Sequence, residues 1–163
     1  MRIPQFLKFE FDDNGPRLFP TAVAWSLADG QIKYVILMPE DEWLGEDPEE
    51  RILDDDYFRT QGVAPIDVLR EMNEDLAEVT VFIDGLDPDE QMLELLCESL
   101  NTQPTFEIAH LSRLLRHLSP EELMERHRDL MIREGMDPQI AENSVYVQLL
   151  LAREEGLVGD NDA

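Results

Sequence analysis

The stretch TAVAWSLADGQIKYVILMP, residues 21–39, decides the fold class. Apolar residues run on both sides of Asp29-Gly30, and such a pair between two apolar runs is a strong short-range signal for a β-hairpin. The pair favours a tight type I′ turn, in which both central residues have positive φ. The sequence therefore predicts an antiparallel hairpin over this stretch.

The residues before the hairpin predict a further strand. In FLKFEF, residues 6–11, every odd position is apolar, whereas the even positions include Lys8 and Glu10. Because successive side chains of a strand point to opposite faces, this alternation indicates a half-buried strand. DDNGP, residues 12–16, then predicts a turn or loop.

Beyond the hairpin, strands and helices alternate. Residues 40–62 are polar and acidic and predict a long loop with a short helix. Apolar spacing from Ala64 onward predicts a helix with Pro65 in its first turn. The remaining segments predict strands at residues 79–84 and 105–109 and helices at residues 87–100, 110–118, 119–135 and 137–156.

The ends of the later helices carry recognisable caps. Asp87, followed by Pro88 and Glu90, predicts an N-cap with a capping box. Ser119 and Glu122 predict a second box. Asp137-Pro138 predicts the start of the last helix.

This order of elements predicts an α/β domain. Its sheet is mixed and five-stranded, with strands 1–3 antiparallel, strands 4 and 5 parallel, and helices flanking it. We expect residues 1–155 to form a single domain and residues 156–163 to form an acidic flexible tail.

Charge and cysteine content narrow the classes of function. The 163 residues include 37 acidic and 13 basic side chains, which gives a formal net charge of −24. A field of this sign repels phosphate backbones and favours cations, basic partners or simple solubility. Cys97 is the single cysteine, so no intramolecular disulfide can form, which predicts a cytoplasmic location. No segment reaches the ~18 apolar residues of a membrane span, so no membrane association is expected.

Three acidic residues on different elements are candidates for one site. Glu10 lies on the polar face of the first strand, and Asp89 lies in the first turn of the helix after strand four. Glu142 lies in the first turns of the last helix. An acid that faces the interior needs a cation, a metal ion or a hydrogen-bond donor as its partner.

Several stretches, in the same order, resemble the DEDD 3′–5′ exonucleases of the ribonuclease H-like fold. Glu10 with PTAVAWSLADG is similar to the pattern E…P-I-E-I-A-W-x-L-x-D-G. ILMPEDEWLGEDPEE, residues 36–50, resembles L-I-R-P-x-x-E-W…D-P-E, and TVFIDGLDPDEQML, residues 80–93, resembles T-V-Y-S-D-A-P-x-W-D-x-x-W-L. The resemblance covers residues 6–152.

The resemblance implies a two-metal nuclease site that this chain alters. The family uses two divalent ions, held by four carboxylates, and a histidine base, because two ions can generate a hydroxide and stabilise the leaving oxygen. Mapped onto this chain, the catalytic residues are Glu10, Asp89, Asp137 and Glu142. Glu10, Asp89 and Glu142 are the ligands of Mg²⁺ or Mn²⁺. Lys8 replaces the aspartate of the family's D-x-E pair, and His127 is an alternative base to Asp137.

Lys8 suggests a hypothesis about this altered site. An ammonium in place of a carboxylate changes the local charge by two units, which opposes the binding of divalent ions. We expect Lys8 to replace the metal as an internal counter-ion, paired with Glu10 and also with Asp89 and Glu142.

Simpler interpretations exist for the same residues. Lys8 and Glu10 can form a surface ion pair, the helix dipole accounts for Asp89, and Asp137 is an ordinary N-cap. Trp25 and Trp43 are expected to be core or loop anchors. All three histidines and five arginines lie within residues 110–133, where the arginines are expected to pair with acidic neighbours at residues 121, 122, 125 and 129.

Three functions remain open from the sequence. The favoured one is a degenerate exonuclease-like domain that has lost hydrolysis and acts as a binding or regulatory module. The second is an active, metal-dependent 3′–5′ exonuclease on single-stranded nucleic acid. The third is an acidic mimic of nucleic acid that captures a basic protein partner.

Overall fold

The predicted hairpin forms one side of a five-stranded sheet. The structure is a computed structural model that describes residues 3–12, 18–44 and 60–157. Its strands are β1 (Gln5–Asp12), β2 (Phe19–Ser26), β3 (Ile32–Ile36), β4 (Thr80–Ile83) and β5 (Glu107–His110). Their order in the sheet is β3-β2-β1-β4-β5. The first three strands are antiparallel, and β4 and β5 join in parallel, so the predicted mixed α/β sheet is confirmed.

The turn between β2 and β3 differs from the predicted type. The Gly30 N–H donates to the Leu27 carbonyl at 2.9 Å, and the Leu27 N–H donates to the Gln31 carbonyl at 2.8 Å. Gly30 has φ of +89°, whereas Asp29 does not have a positive φ. The connection is therefore a three-residue loop with glycine in the left-handed position, and the predicted type I′ turn is wrong.

Five α-helices and one short 3₁₀ helix surround the sheet in the described residues. They are α1 (Pro65–Asp75), α2 (Asp89–Ser99), α3 (Leu111–Leu114), α4 (Pro120–Arg133) and α5 (Ala141–Glu154), with the 3₁₀ helix at Asp41–Trp43. The helix predicted over residues 110–118 is reduced to the single turn of α3. It ends because Leu115 leaves the helical conformation while its side chain is fully buried.

One of the two predicted capping boxes is present. The Ser119 hydroxyl accepts from the Glu122 N–H at 3.1 Å, and the Glu122 carboxylate accepts from the Ser119 N–H at 3.4 Å, so α4 begins as predicted. The box predicted at Asp87 is wrong. Pro88 is the N-cap of α2 and gives it no side-chain cap. The Asp87 carboxylate instead contacts Lys8.

Two apolar cores lie on opposite faces of the sheet, which makes the fold three-layered. Leu7 and Phe9 of β1 pack with the helices α1 and α2 on one face. Phe6 packs with α4 and α5 on the other face. Trp25 and Trp43 are fully buried in the first core, as predicted. Because β1 is the central strand, its alternation directs its side chains to the two faces of the sheet in turn, with Leu7 and Phe9 in one core and Phe6 in the other.

Parts of the predicted loops and tail lie outside the described residues, namely residues 13–17, 45–59 and 158–163. Within the described ranges, no helix combines the length and apolar character needed to cross a membrane.

Candidate functional site: a buried charged cluster

The parallel pairing of β1 with β4 brings two charged side chains together. Phe6 is paired with Phe82. Two residues further along each strand, the same register places Lys8 beside Asp84, on the face that carries the two phenylalanines. Asp84 directly follows the carboxyl end of β4, and the carboxyl ends of such strands are where α/β sheets commonly place their ligands, whereas Lys8 lies in the middle of β1.

Lys8 is enclosed by three carboxylates. Its Nζ lies 3.0 Å from each oxygen of Asp84, 2.8 Å from Asp87 Oδ2 and 3.5 Å from Asp89 Oδ2. Lys8 itself is only 3% exposed. We call these four residues the Lys8 cluster.

The ammonium of Lys8 remains charged in spite of its burial. Burial lowers the pKa of Lys8. The attraction of Asp84 and Asp89, with the hydrogen bonds to Asp87 and Asp84, outweighs that effect, so the pKa lies above its ordinary value. The expected internal counter-ion is therefore present, although two of its three partners are residues that the sequence analysis did not single out as site residues.

Asp89 is the most deeply buried acid of the Lys8 cluster. Its Oδ1 accepts from the Phe9 N–H at 2.8 Å, whereas its Oδ2 has no hydrogen-bond partner among the described residues. Burial raises the pKa of Asp89 to about 7, against the lowering effects of Lys8 and of the Phe9 hydrogen bond. A proton therefore binds and leaves this carboxyl near neutral pH.

The loop between β4 and α2 holds the other two acids in place. The Leu86 N–H donates to Asp84 Oδ1 at 3.0 Å, which closes a tight local turn. Gly85 has φ of +78°, and a Cβ at this position would lie 2.8 Å from Nδ1 of His110. The loop therefore needs glycine both for its conformation and for its close approach to His110.

His127 lies next to the Lys8 cluster on α4. It is 5% exposed, and its Nε2 is 3.6 Å from Asp84 Oδ2, without a hydrogen-bond partner among the described residues. Burial lowers the pKa of His127, and the charge of Lys8 lowers it further, whereas Asp84 opposes them. The imidazole is therefore neutral at pH 7.

Glu10 serves a different part of the fold from the Lys8 cluster. Its Oε2 accepts from the Tyr34 hydroxyl at 2.6 Å and from the Ala141 N–H at 3.0 Å. Glu10 therefore caps α5, which has no side-chain cap of its own. Within the described part of the chain, no ion pair joins Glu10 to Lys8, so the expected pair between them is not formed.

The other two predicted site residues are exposed. Asp137 Oδ1 accepts from the Gln139 N–H at 2.9 Å, and Glu142 lies in the first turn of α5. No group of three or more histidine, cysteine, aspartate or glutamate side chains in the described ranges could hold a metal ion. The structure therefore does not assemble Glu10, Asp89 and Glu142 into the ligand set that the resemblance implied.

The sequence contains a signal that could have identified Asp84 and Asp87. Both residues follow β4, which is parallel to its neighbours, and the carboxyl end of such a strand is a usual site position. The sequence analysis treated Asp84 as the end of a strand and Asp87 as a helix cap. It therefore did not identify Lys8 as the partner of both residues. The missing information was the register of β4 against β1, because that register alone places Lys8 beside Asp84.

The arginines of α4 form ion pairs, but not with the neighbours that were predicted. Arg126 and Arg133 reach across to the end of α5, where they contact Glu154, and Arg126 also contacts Glu155. His117 contacts Glu155 as well. The pairs of Arg126 and Arg133 with Glu154 therefore join α4 to α5, while Arg133 also contacts its chain neighbour Glu134.

A cavity of about 370 Å³ opens beside the Lys8 cluster. Its polar side is formed by Lys8, Asp84, Asp87, His127, Arg128 and Ser144, and its apolar side by three methionines with Leu86, Ile132 and Pro138. The site therefore combines a charged, ion-paired floor with an apolar entrance.

Comparisons with known proteins find a likeness in fold but none in sequence. No family model matches the chain, and no curated protein matches it. A solved structure of the yeast NOT1 MIF4G domain co-crystallized with CAF1 matches with a TM-score of 0.60 at 9% sequence identity. The match covers 95% of this chain and 81% of the other. At this identity the likeness concerns the fold alone.

These findings contradict the predicted membership of the DEDD exonuclease family, and the chain is assigned to no family. The physical reason lies in the motifs themselves. The A-W-x-L-x-D-G pattern marks a buried strand followed by a turn. Here Trp25 fills the core while Asp29-Gly30 forms the hairpin loop. Such patterns are required by the hairpin and therefore do not identify a family.

Proposed function

We propose that this chain is a non-catalytic binding module for a basic protein partner. The observation that carries the proposal is the position of the Lys8 ammonium. It contacts Asp84, Asp87 and Asp89 at once, so a cation of the chain itself occupies the position between these carboxylates. Metal-dependent hydrolysis would require this ammonium to leave.

Charge supports the choice of a basic protein as partner. With a formal net charge of −24, the chain attracts cationic surfaces over long range and repels phosphates. The solved structure of similar fold is that of a domain co-crystallized with another protein, which is compatible with a protein partner.

Two further parts of the proposal concern fold type and location. The strand order β3-β2-β1-β4-β5 is compatible with a ribonuclease H-like arrangement, which we keep as a proposal. A cytoplasmic location also remains a proposal, based on the single thiol of Cys97.

The two lysines of the chain provide a matched test of the Lys8 cluster. Lys8→Met should lower the free energy of unfolding by about 3–5 kcal/mol, because it leaves buried carboxylates without a counter-ion. Lys33→Met removes the half-exposed pairs with Glu71 and Asp75 and the contact of the ammonium with the Trp25 ring, and it should cost about 1 kcal/mol. Urea unfolding with and without Mn²⁺ measures both, and Mn²⁺ should restore stability only to Lys8→Met.

Activity and metal binding by the unmodified chain would contradict the proposal. Calorimetric titration with Mn²⁺ or Mg²⁺ should show no tight binding, and a labelled single strand should remain intact in Mn²⁺. Release of mononucleotides that depends on Glu10 would instead support a nuclease. Salt-sensitive binding of a lysine-rich peptide, but not of an oligonucleotide, is the expected positive result.

A further inference from the structure

The cavity beside the Lys8 cluster has an apolar wall that reaches the surface. Three of the seven methionines, Met124, Met131 and Met136, line it. At its entrance, Leu86 is 42% exposed, Met124 55% and Ile132 72%. Large apolar side chains grouped at the mouth of a cavity mark an interaction surface, and methionines adapt their shape to varied occupants.

The charges that line the cavity nearly balance. Lys8 and Arg128 are the cations, while Asp84 and Asp87 are the anions. Lys8 already contacts both anions, so the cavity offers no unshared charge to a cationic head. His127 adds a neutral ring to the wall, with a buried Nε2 that lacks a hydrogen-bond partner. An apolar side chain is therefore the better occupant.

A second cavity, of about 510 Å³, lies on the other side of Asp87 and is acidic. Glu90 and Glu94 of α2 line it with Asp87, against the single histidine His110. Asp87 lines both cavities and therefore forms the border between them. A ligand that spans them meets an apolar pocket first and carboxylates next.

We propose that the methionine-lined cavity receives the apolar side chains of a basic amphipathic segment from a protein partner. This inference rests on the proposed function, because it takes the same basic partner and specifies how it docks. The apolar face of the segment enters between Met124 and Ile132, and its positive residues lie over the acids of α2. Such helix-in-groove binding relies on anchors at helical spacing.

Two synthetic peptides of equal composition provide the test. One has leucines at i, i+3, i+4 and i+7 with lysines elsewhere, and the other has the same residues in scrambled order. Fluorescence anisotropy should show the patterned peptide binding about tenfold more tightly. The double variant Met124→Gln with Ile132→Gln should remove this difference. Ile66→Gln, at an isoleucine of α1 that is 39% exposed, is the matched control and should leave it unchanged.

Methyl-labelled methionine gives a readout at the cavity itself. The patterned peptide should shift the methyl signals of Met124, Met131 and Met136. Met92, which is fully buried in the core on the opposite face of the sheet, should not respond.

The outcomes separate this inference from the proposed function. Equal binding of both peptides, weakened by salt, would overturn the docking site while the proposed function stands. Binding of neither peptide would overturn both. Undiminished binding of the patterned peptide to the double variant would also exclude the cavity. If a labelled oligonucleotide binds the unmodified chain but not the double variant, the partner at this cavity is a nucleic acid, and the proposal of a protein partner is overturned.

Discussion

At the scale of single residues, Asp89 shows the effect of several acids sharing one lysine. Lys8 provides one positive charge for Asp84, Asp87 and Asp89. Three carboxylates that share one ammonium cannot all ionise without repulsion, and the most buried of them retains its proton to a higher pH. Asp89 therefore acts as the adjustable charge of the Lys8 cluster.

This assignment predicts how stability depends on pH. Folding raises the pKa of Asp89 from 3.8 to about 7, so the folded chain binds the proton more tightly than the unfolded chain. The contribution of Asp89 to stability is therefore complete below the unfolded value and is lost as pH rises to about 7. Asp89→Asn should be more stable than the unmodified chain at pH 8, by up to a few kcal/mol at about 1.4 kcal/mol per pKa unit.

Comparing the unmodified chain with Asp89→Asn separates the pH effect of Asp89 from that of His127. The lowered pKa of His127 has the opposite effect on stability. The unfolded chain binds a proton at His127 more readily than the folded chain does, so the fold loses stability as pH falls below 6.5. This effect is common to both proteins and cancels in the difference between them. Urea unfolding at pH 5 and pH 8 measures that difference, and an equal difference at both values would contradict the assignment.

At the scale of elements, a residue of a strand caps the N-terminus of a helix that is distant in sequence. Glu10 of β1 accepts from the Ala141 N–H, 131 positions later, and thereby satisfies a donor that the helix itself cannot satisfy. A carboxylate at a helix N-terminus also interacts favourably with the helix dipole. The start of α5 is consequently fixed by the sheet, because its own sequence supplies no cap.

Removing this carboxylate should loosen the first turn of α5. Glu10→Ala should lower the free energy of unfolding by about 1–2 kcal/mol, the usual cost of a lost cap. Hydrogen exchange should become faster at the amides of residues 141–144. Tyr34→Phe removes the second donor to Glu10 but retains the cap, so it is the control. Unchanged exchange in Glu10→Ala would show that the cap does not hold the turn.

Local patterns in the sequence predicted most of the elements, because local physics determines them. Alternation in residues 6–11 gave β1, and the Ser119 box gave the start of α4. Errors arose where a distant residue competes for a local group. Asp87 contacts Lys8 and does not cap α2, and the N-terminus of α5 is capped by Glu10. The sequence reveals neither contact without the register of the sheet.

The same limit explains the candidate site. Lys8 was recognised as a counter-ion because a lysine among so many acids is conspicuous. Its partners Asp84 and Asp87 could not be identified, since they become neighbours of Lys8 only through the parallel pairing of β1 with β4. Glu142 was expected to share a site with Glu10 and Asp89, but its side chain is exposed in the first turn of α5.

At the scale of the whole molecule, a strongly acidic surface encloses two apolar cores. The net charge of −24 acts against compactness, because the like charges come closer together on folding. The ion pairs between α4 and α5 reduce this repulsion locally, since Arg126 and Arg133 both contact Glu154. The remaining acids on the surface stay available to a basic partner.

Screening should therefore stabilise the fold. The Debye length falls from about 30 Å at 0.01 M salt to about 10 Å at 0.1 M, which weakens repulsion between surface carboxylates. The melting temperature should rise by several degrees over this range in sodium chloride. Potassium chloride should give an equal rise, because the effect is one of ionic strength. A melting temperature independent of salt would show that the surface charge does not limit stability.

The burial of one of the two lysines has a chemical consequence for covalent modification. Acylating reagents and enzymes that conjugate groups to side-chain amines need an accessible ε-amine. On the folded chain only Lys33, with a side chain that is 34% exposed, offers one, whereas that of Lys8 is 4% exposed. Attachment at Lys8 therefore reports that the chain has opened, and a group joined to the intact fold marks the outer strand β3.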